Sequence, residues 1–285
     1  GLAYAEFASV VPASGSAYTY TYASLGEFIA FIVGWNLVLE YTVTASAVAS
    51  GWSGYVTGLL LSAGIDPGHA LTSVPADGGI INLPAICITL LLSFFLIRGT
   101  QESSKINRIL VFVKLAAVFI FLLLAGPQVN TANWEPFMPF GMQGIAAGAA
   151  IVFFAYIGFD AVATTAEECK NPARDLPIGI IGSLIICTLL YVVVAGVLTG
   201  IVPYTELNSP EPVAYALRYI GYNLGSALVG VGAIAGITTV LLVLLYGQAR
   251  IFFAMSRDGM VPANVCKIHK RYHTPYIVTV LGAVF

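Results

Sequence analysis

Charge is what this sequence has least of. Of its 285 residues only 9% are Asp, Glu, Lys or Arg and 58% are hydrophobic, whereas an average soluble domain is roughly one-quarter charged. So few charges cannot cover a water-soluble fold, and the mean hydropathy of +0.89 makes this an integral membrane chain. Cysteine is also sparse. Cys87, Cys169, Cys187 and Cys266 are isolated and form no CxxC pair, so they support neither a disulfide nor a metal site. HExxH, a Ser-His pair and paired carboxylates are missing as well, which argues against a membrane-embedded enzyme. No catalytic residue, cofactor, metal or nucleic-acid partner is expected, and no short-period repeat is visible.

What is there is length. Crossing a hydrocarbon core takes about 20 apolar residues in helical form. Six complete runs fit: Phe28 to Leu61, Gly78 to Ile97, Ile109 to Gly126, Gly144 to Ala166, Ile178 to Val202 and Gly225 to Ala249. Gly1 to Val11 and Tyr276 to Phe285 read as cut spans. The first lacks an initiator Met and a charged n-region, so it is not a signal peptide. These runs are too long and too uniformly apolar for barrel strands, which alternate over about ten residues. The expectation is therefore an internal piece, incomplete at both ends, of one transmembrane domain spanning residues 1–285.

Alternating the loops gathers ten of the twelve basic residues on one side: Arg98, Lys105, Arg108, Lys170, Arg174, Arg250, Arg257, Lys267, Lys270 and Arg271. By the positive-inside rule that side is cytoplasmic. The loop from Pro12 to Glu27, without Lys or Arg, joins it by parity, and the opposite loops hold Arg218 alone. The last, Lys114, falls within a span. The segment "NPARDLP" places two prolines around a charged hinge, with Pro177 expected near the first turn of the next helix, where its missing N–H is harmless.

Ionisable residues inside spans cost roughly 2.5–3.5 kcal/mol at a helix centre and mark function by default. Glu6, Glu40, Lys114 and Asp160 qualify. Asp160 lies seven residues before Glu167 and two after Gly158, roughly 10 Å from the cytoplasmic edge. Either this part of the helix faces a polar bundle interior, or the helix breaks here, at Gly144, Gly148 and Gly158, with Thr164 and Thr165 following. A broken helix offers free carbonyls and half-helix ends to a zwitterion, with Phe153, Phe154, Tyr156 and Phe159 as gates or as plain packing. Lys114 either snorkels to the interface or is a desolvated ammonium that releases and recaptures a proton. Asn36 and Glu40 share a helix face with Thr44 and read as interhelical glue or as a substrate route, glue being favoured; Glu6 sits near the loop at Pro12. Gly230, Gly232 and Gly236 permit close helix approach, and Thr238 and Thr239 bring hydroxyls near the midplane.

Taken together, "GLAYAEFASVVPASGSAYTY", "FFAYIGFDAVATTAEECKNPARDLPIGI", "YGQARIFFAMSRDGMVP" and "HTPYIVTV" resemble the amino acid–polyamine–organocation superfamily, nearest its cationic amino acid transporter branch. The resemblance covers the whole chain. It implies an all-α, polytopic membrane helix bundle with a LeuT-like inverted repeat and discontinuous helices, of which this chain holds helices 2 to 9 and lacks the first. It also implies amino acid transport across a plasma membrane by alternating access. The substrate would meet the backbone from Phe153 through Ala155, Tyr156 and Ile157 to Gly158, with Phe154 as the outer aromatic gate and Asp160 in the inner polar network. Lys114 is similar to a fifth-helix Lys standing where sodium-coupled relatives hold a cation, which implies proton coupling, with Thr239 near it; Leu244 is a candidate for limiting pocket size.

The expectation is a proton-coupled amino acid permease whose partners are its substrate, protons and the lipid bilayer. An obligate amino acid or polyamine exchanger is the nearest rival, and a non-transporting amino acid sensor is a rival of another class. Small neutral, cationic and aromatic substrates all stay open, as does a small single-span membrane subunit.

Overall fold

In lipid an apolar segment must satisfy its own N–H and C=O groups, and a helix does so within one stretch of chain. The computed structural model describes residues 1–11, 15–262, 264–269, 271–272 and 274–284, apart from the side chains of 100–107, 165, 167 and 168. The side chains of Lys105 and Thr165, and the whole of Lys270, therefore lie outside the described residues. Among those described the secondary structure is helical throughout, with no strand. The chain is an all-α, polytopic membrane helix bundle.

The helices in chain order are α1 (Leu2–Val10), α2 (Ala17–Leu25), α3 (Glu27–Ser62), a single turn α4 (His69–Thr72), α5 (Leu83–Arg98), α6 (Thr100–Ala125), α7 (Gly141–Val152), α8 (Pro172–Ile201), α9 (Pro212–Tyr219), α10 (Asn223–Arg257) and α11 (Tyr276–Val284). Among the described residues five stretches are long and apolar enough to cross a membrane: Glu27–Ser62, Arg108–Gln128, Gly141–Thr164, Pro172–Ile201 and Asn223–Arg257.

The structure corrects the sequence reading at two boundaries. The run expected from Gly78 to Ile97 yields a helix of only 16 residues, about 24 Å long at 1.5 Å per residue. Its true start is set by Asn82, whose side chain accepts the Ala85 N–H, and by Pro84 in the first turn. Gly78 and Gly79 instead close the preceding turn on Pro75 and Val74. Pro177 is not in the first turn of α8. The helix starts at Pro172, which leaves Pro177 as an interior proline. The loop from Pro12 to Glu27 also holds more structure than its composition suggests, namely α2.

The core is built on α10, which packs along α3 on one side and α6 on the other. Tyr41, Leu37 and Ala45 of α3 meet Leu241, Leu244 and Leu245 of α10, with Ile88 and Leu92 of α5 behind them. Polar cross-links pin this frame: Trp52 Nε1 donates to Thr238 Oγ1 at 2.9 Å, and Gln248 Nε2 to Thr42 Oγ1 at 2.6 Å. Such interhelical bonds average about 0.6 kcal/mol in a membrane. By contrast α7 has no buried residue, and α8 presents Ile185, Ile186, Leu189 and Val192 outward.

Candidate functional site

The helix α7 stops at Val152, inside a stretch otherwise apolar enough to continue. Phe153 to Tyr156 tighten into a 3-10 turn. Ile157 is extended (φ −56°, ψ 133°) and Gly158 has φ +106°. A 3-10 segment then runs from Asp160 to Glu168. A β-carbon at Gly158 would meet nothing within 4 Å, so the glycine is required by its backbone angle and not by crowding. The interruption changes the hydrogen-bond accounting. Ile157 N–H donates to Phe154 O and Phe159 N–H to Tyr156 O, while the Ile157 carbonyl accepts from no described residue. Phe153 and Phe154 stand exposed beside this segment, and Phe159 packs edge to face on Tyr4 of α1 at 5.1 Å.

Asp160, just beyond, is only 4% exposed. Its Oδ2 accepts from Tyr41 Oη of α3 at 2.8 Å and from Ser16 Oγ, at the N-cap of α2, at 3.2 Å. Three elements therefore meet on one carboxyl oxygen. Glu40 lies close by, half-buried, whereas Asn36 and Glu6 face outward. One level further, Arg250 Nη1 of α10 donates to the Thr164 carbonyl at 2.7 Å, and its guanidinium lies 4.6 Å from the centre of the Tyr246 ring.

Lys114 belongs to a second locus. A cavity of about 270 Å³ follows the seam between α6 and α10, lined also by Val194 of α8, Val213 of α9 and Tyr55 of α3. Among the described residues Lys114 is the one charged side chain in that wall. Its stem lies against Gly236, where an added β-carbon would stand 3.2 Å from the lysine Cβ. Thr239 is buried and donates to the Gly236 carbonyl at 2.7 Å; Thr238 donates to Ile234 O. Thr239 and Lys114 are thus joined through one glycine. Lys114 and Asp160 form no ion pair with each other. Leu244 is buried in the α3–α5–α10 core.

Sequence reasoning did not mark Tyr41 or Ser16 as partners of Asp160. Each reads as packing or loop, because helical periodicity fixes the face of a residue and not its partner across the interface.

Likeness to known proteins bears on this geometry. The amino acid permease family model matches residues 1–285. The chain is 50% identical to the branched-chain amino acid permease BcaP of Bacillus subtilis over 98% of its length and 61% of the relative's. It is 47% identical to the methylthioribose transporter of the same organism, covering 99% of this chain and 61% of that protein. It is 36% identical to human cationic amino acid transporter 4, covering 96% and 44% respectively. The chain thus spans about three fifths or less of the length of these relatives. With the whole sequence matched and half its residues identical to a relative's, the chain belongs to the amino acid permease family, a family of membrane transporters and not of enzymes.

Proposed function

We propose that this chain is part of a single transporter domain of LeuT-like inverted-repeat architecture that imports amino acids across the plasma membrane by alternating access, driven by protons, with its Lys- and Arg-rich loops in the cytoplasm. The observation that carries this reading is the interrupted membrane helix. The Ile157 carbonyl, which accepts from no described residue and is flanked by Phe153, Phe154, Ala155, Tyr156 and Gly158, suits a substrate ammonium. Phe154 serves as the outer gate, Asp160 as part of the inner polar network and Leu244 as a limit on pocket size. Lys114, with Thr239 beside it, takes and returns the proton.

The substrate we favour is neutral and apolar, in keeping with the branched-chain relative. Asp160 supports this, because its carboxyl is only 4% exposed behind the Tyr41 and Ser16 hydroxyls, which leaves little of it open to a cationic side chain.

The test is uptake of radiolabelled L-valine by the full-length protein in proteoliposomes under an inward proton gradient. Gradient-driven uptake is expected, and Lys114→Ala should abolish it while leaving counter-flow at zero gradient. Uptake that needs only internal amino acid and ignores the gradient would establish an exchanger instead. Binding of L-valine without any uptake would establish a sensor.

A further inference from the structure

The broken segment is held from one side by α8, through residues that no motif marks. Ala155 lies at the interruption, and neither Gly158 nor Phe159 returns an N–H to its carbonyl. Instead Tyr191 Oη of α8 donates to Ala155 O at 2.9 Å. One turn earlier on α8, Thr188 Oγ1 lies 3.0 Å from Tyr156 Oη. The direction of that second bond follows from counting protons. A threonine hydroxyl has one, and Thr188 directs it to the Leu184 carbonyl at 2.7 Å. Tyr156 is therefore the donor and Thr188 the acceptor. The two tyrosine rings meet edge to face, 5.3 Å between centroids at 72°.

Residues 188 and 191 are three apart, so both project from one face of α8. A tyrosine kept only for packing has no need to aim its hydroxyl at a backbone atom. Here both hydroxyls are used across the α8 boundary. Because a carbonyl oxygen carries two lone pairs, Tyr191 fixes the Ala155 peptide while leaving one acceptor site on it.

We propose that Tyr191 and Thr188 are positioning residues: they clasp Ala155 and Tyr156 so that the Ala155 and Ile157 carbonyls hold the orientation that receives the substrate ammonium. This rests on reading the helix break as the amine site. It predicts that the clasp sets affinity, with turnover left to other parts of the protein.

The experiment uses the full-length protein in proteoliposomes, with L-valine uptake giving KM and Vmax per folded transporter and titration calorimetry giving Kd. If the wild-type protein neither binds nor moves L-valine, the reading of the break itself fails, independently of the clasp. Given wild-type transport, Tyr191→Phe keeps the ring contact and removes one donor. KM and Kd should rise about five- to tenfold, the scale of one net hydrogen bond, with Vmax within about twofold. Thr188→Val should act in the same direction, Thr188→Ser should restore wild-type KM by returning the acceptor, and the double variant should fall short of the product because both bonds hold one segment. Unchanged KM in Tyr191→Phe and Thr188→Val, or a fall in Vmax at constant KM, would overturn the proposal.

Discussion

At Asp160 two hydroxyls from different elements reach one carboxyl oxygen of a side chain that is 4% exposed. Removing the closer donor with Tyr41→Phe leaves the ring in place and the carboxyl half-satisfied. The expected loss is about 1–3 kcal/mol, read as a lower midpoint in thermal unfolding of the detergent-solubilised protein. Gly158 offers a cleaner contrast with Gly148. Neither has a neighbour within 4 Å of a virtual β-carbon, but only Gly158 has a positive φ, +106°. Gly158→Ala should therefore destabilise by about 1–3 kcal/mol, while Gly148→Ala, inside α7, should stabilise by up to about 1 kcal/mol. Opposite signs in the same thermal assay would confirm that backbone angle, and not space, selects glycine at the break. The sequence advertised Asp160 and Lys114 because charge in an apolar run is conspicuous. Tyr191, Thr188 and Ser16 were silent, since a hydroxyl among apolar residues carries no signal until its partner is known.

Among the elements, the long spans were legible because lipid leaves a backbone few options. The short ones were not. Helices α2 and α9 sit in segments with no extended apolar run, so hydropathy passes over them. Helix α9 is nonetheless firmly seated. Glu211 precedes its first turn, is nearly buried, and pairs with Arg218 at its far end; Arg218 also donates to Ser226 Oγ of α10 at 3.2 Å. Gly58 of α3 makes the seat, since any β-carbon there would collide with the Glu211 carboxylate. Arg218→Ala strands that carboxylate and should cost about 2 kcal/mol. That is less than the 3–5 kcal/mol of a fully buried pair, because the Arg218 side chain is 33% exposed. The measurement is amide hydrogen exchange, where residues 212–219 should lose protection while α10 keeps it. On the opposite side of the molecule α2 is tied by Tyr18 Oη to Asp258 Oδ2 at 3.0 Å. Burial and then the adjacent carboxylate raise the Tyr18 hydroxyl well above its ordinary range, so this donor keeps its proton at any pH used for transport assays.

For the molecule as a whole, the division is between a packed frame of α3, α5, α6 and α10 and the outward-facing α7 and α8, with the tyrosine clasp tying the segment after α7 to α8. The positive-inside assignment applies at this scale. If the basic loops are cytoplasmic, a cysteine replacing Lys267, in the loop between α10 and α11, should be labelled by an impermeant maleimide in inside-out vesicles and not in intact cells; the reverse pattern would invert the topology. That loop is anchored to the end of α5, where Thr274 Oγ1 donates to Ile97 O at 2.6 Å, so the two basic ends share a side. Between α5 and α6 stands Gly99 alone, with φ +139°. The joint keeps only the polar first turns of α6, up to Arg108, between the two apolar runs, and α5 by itself falls short of a hydrocarbon core of about 30 Å. During biosynthesis the two helices should consequently partition into the bilayer as one hairpin, the longer apolar α6 carrying in a partner that is too short to commit alone.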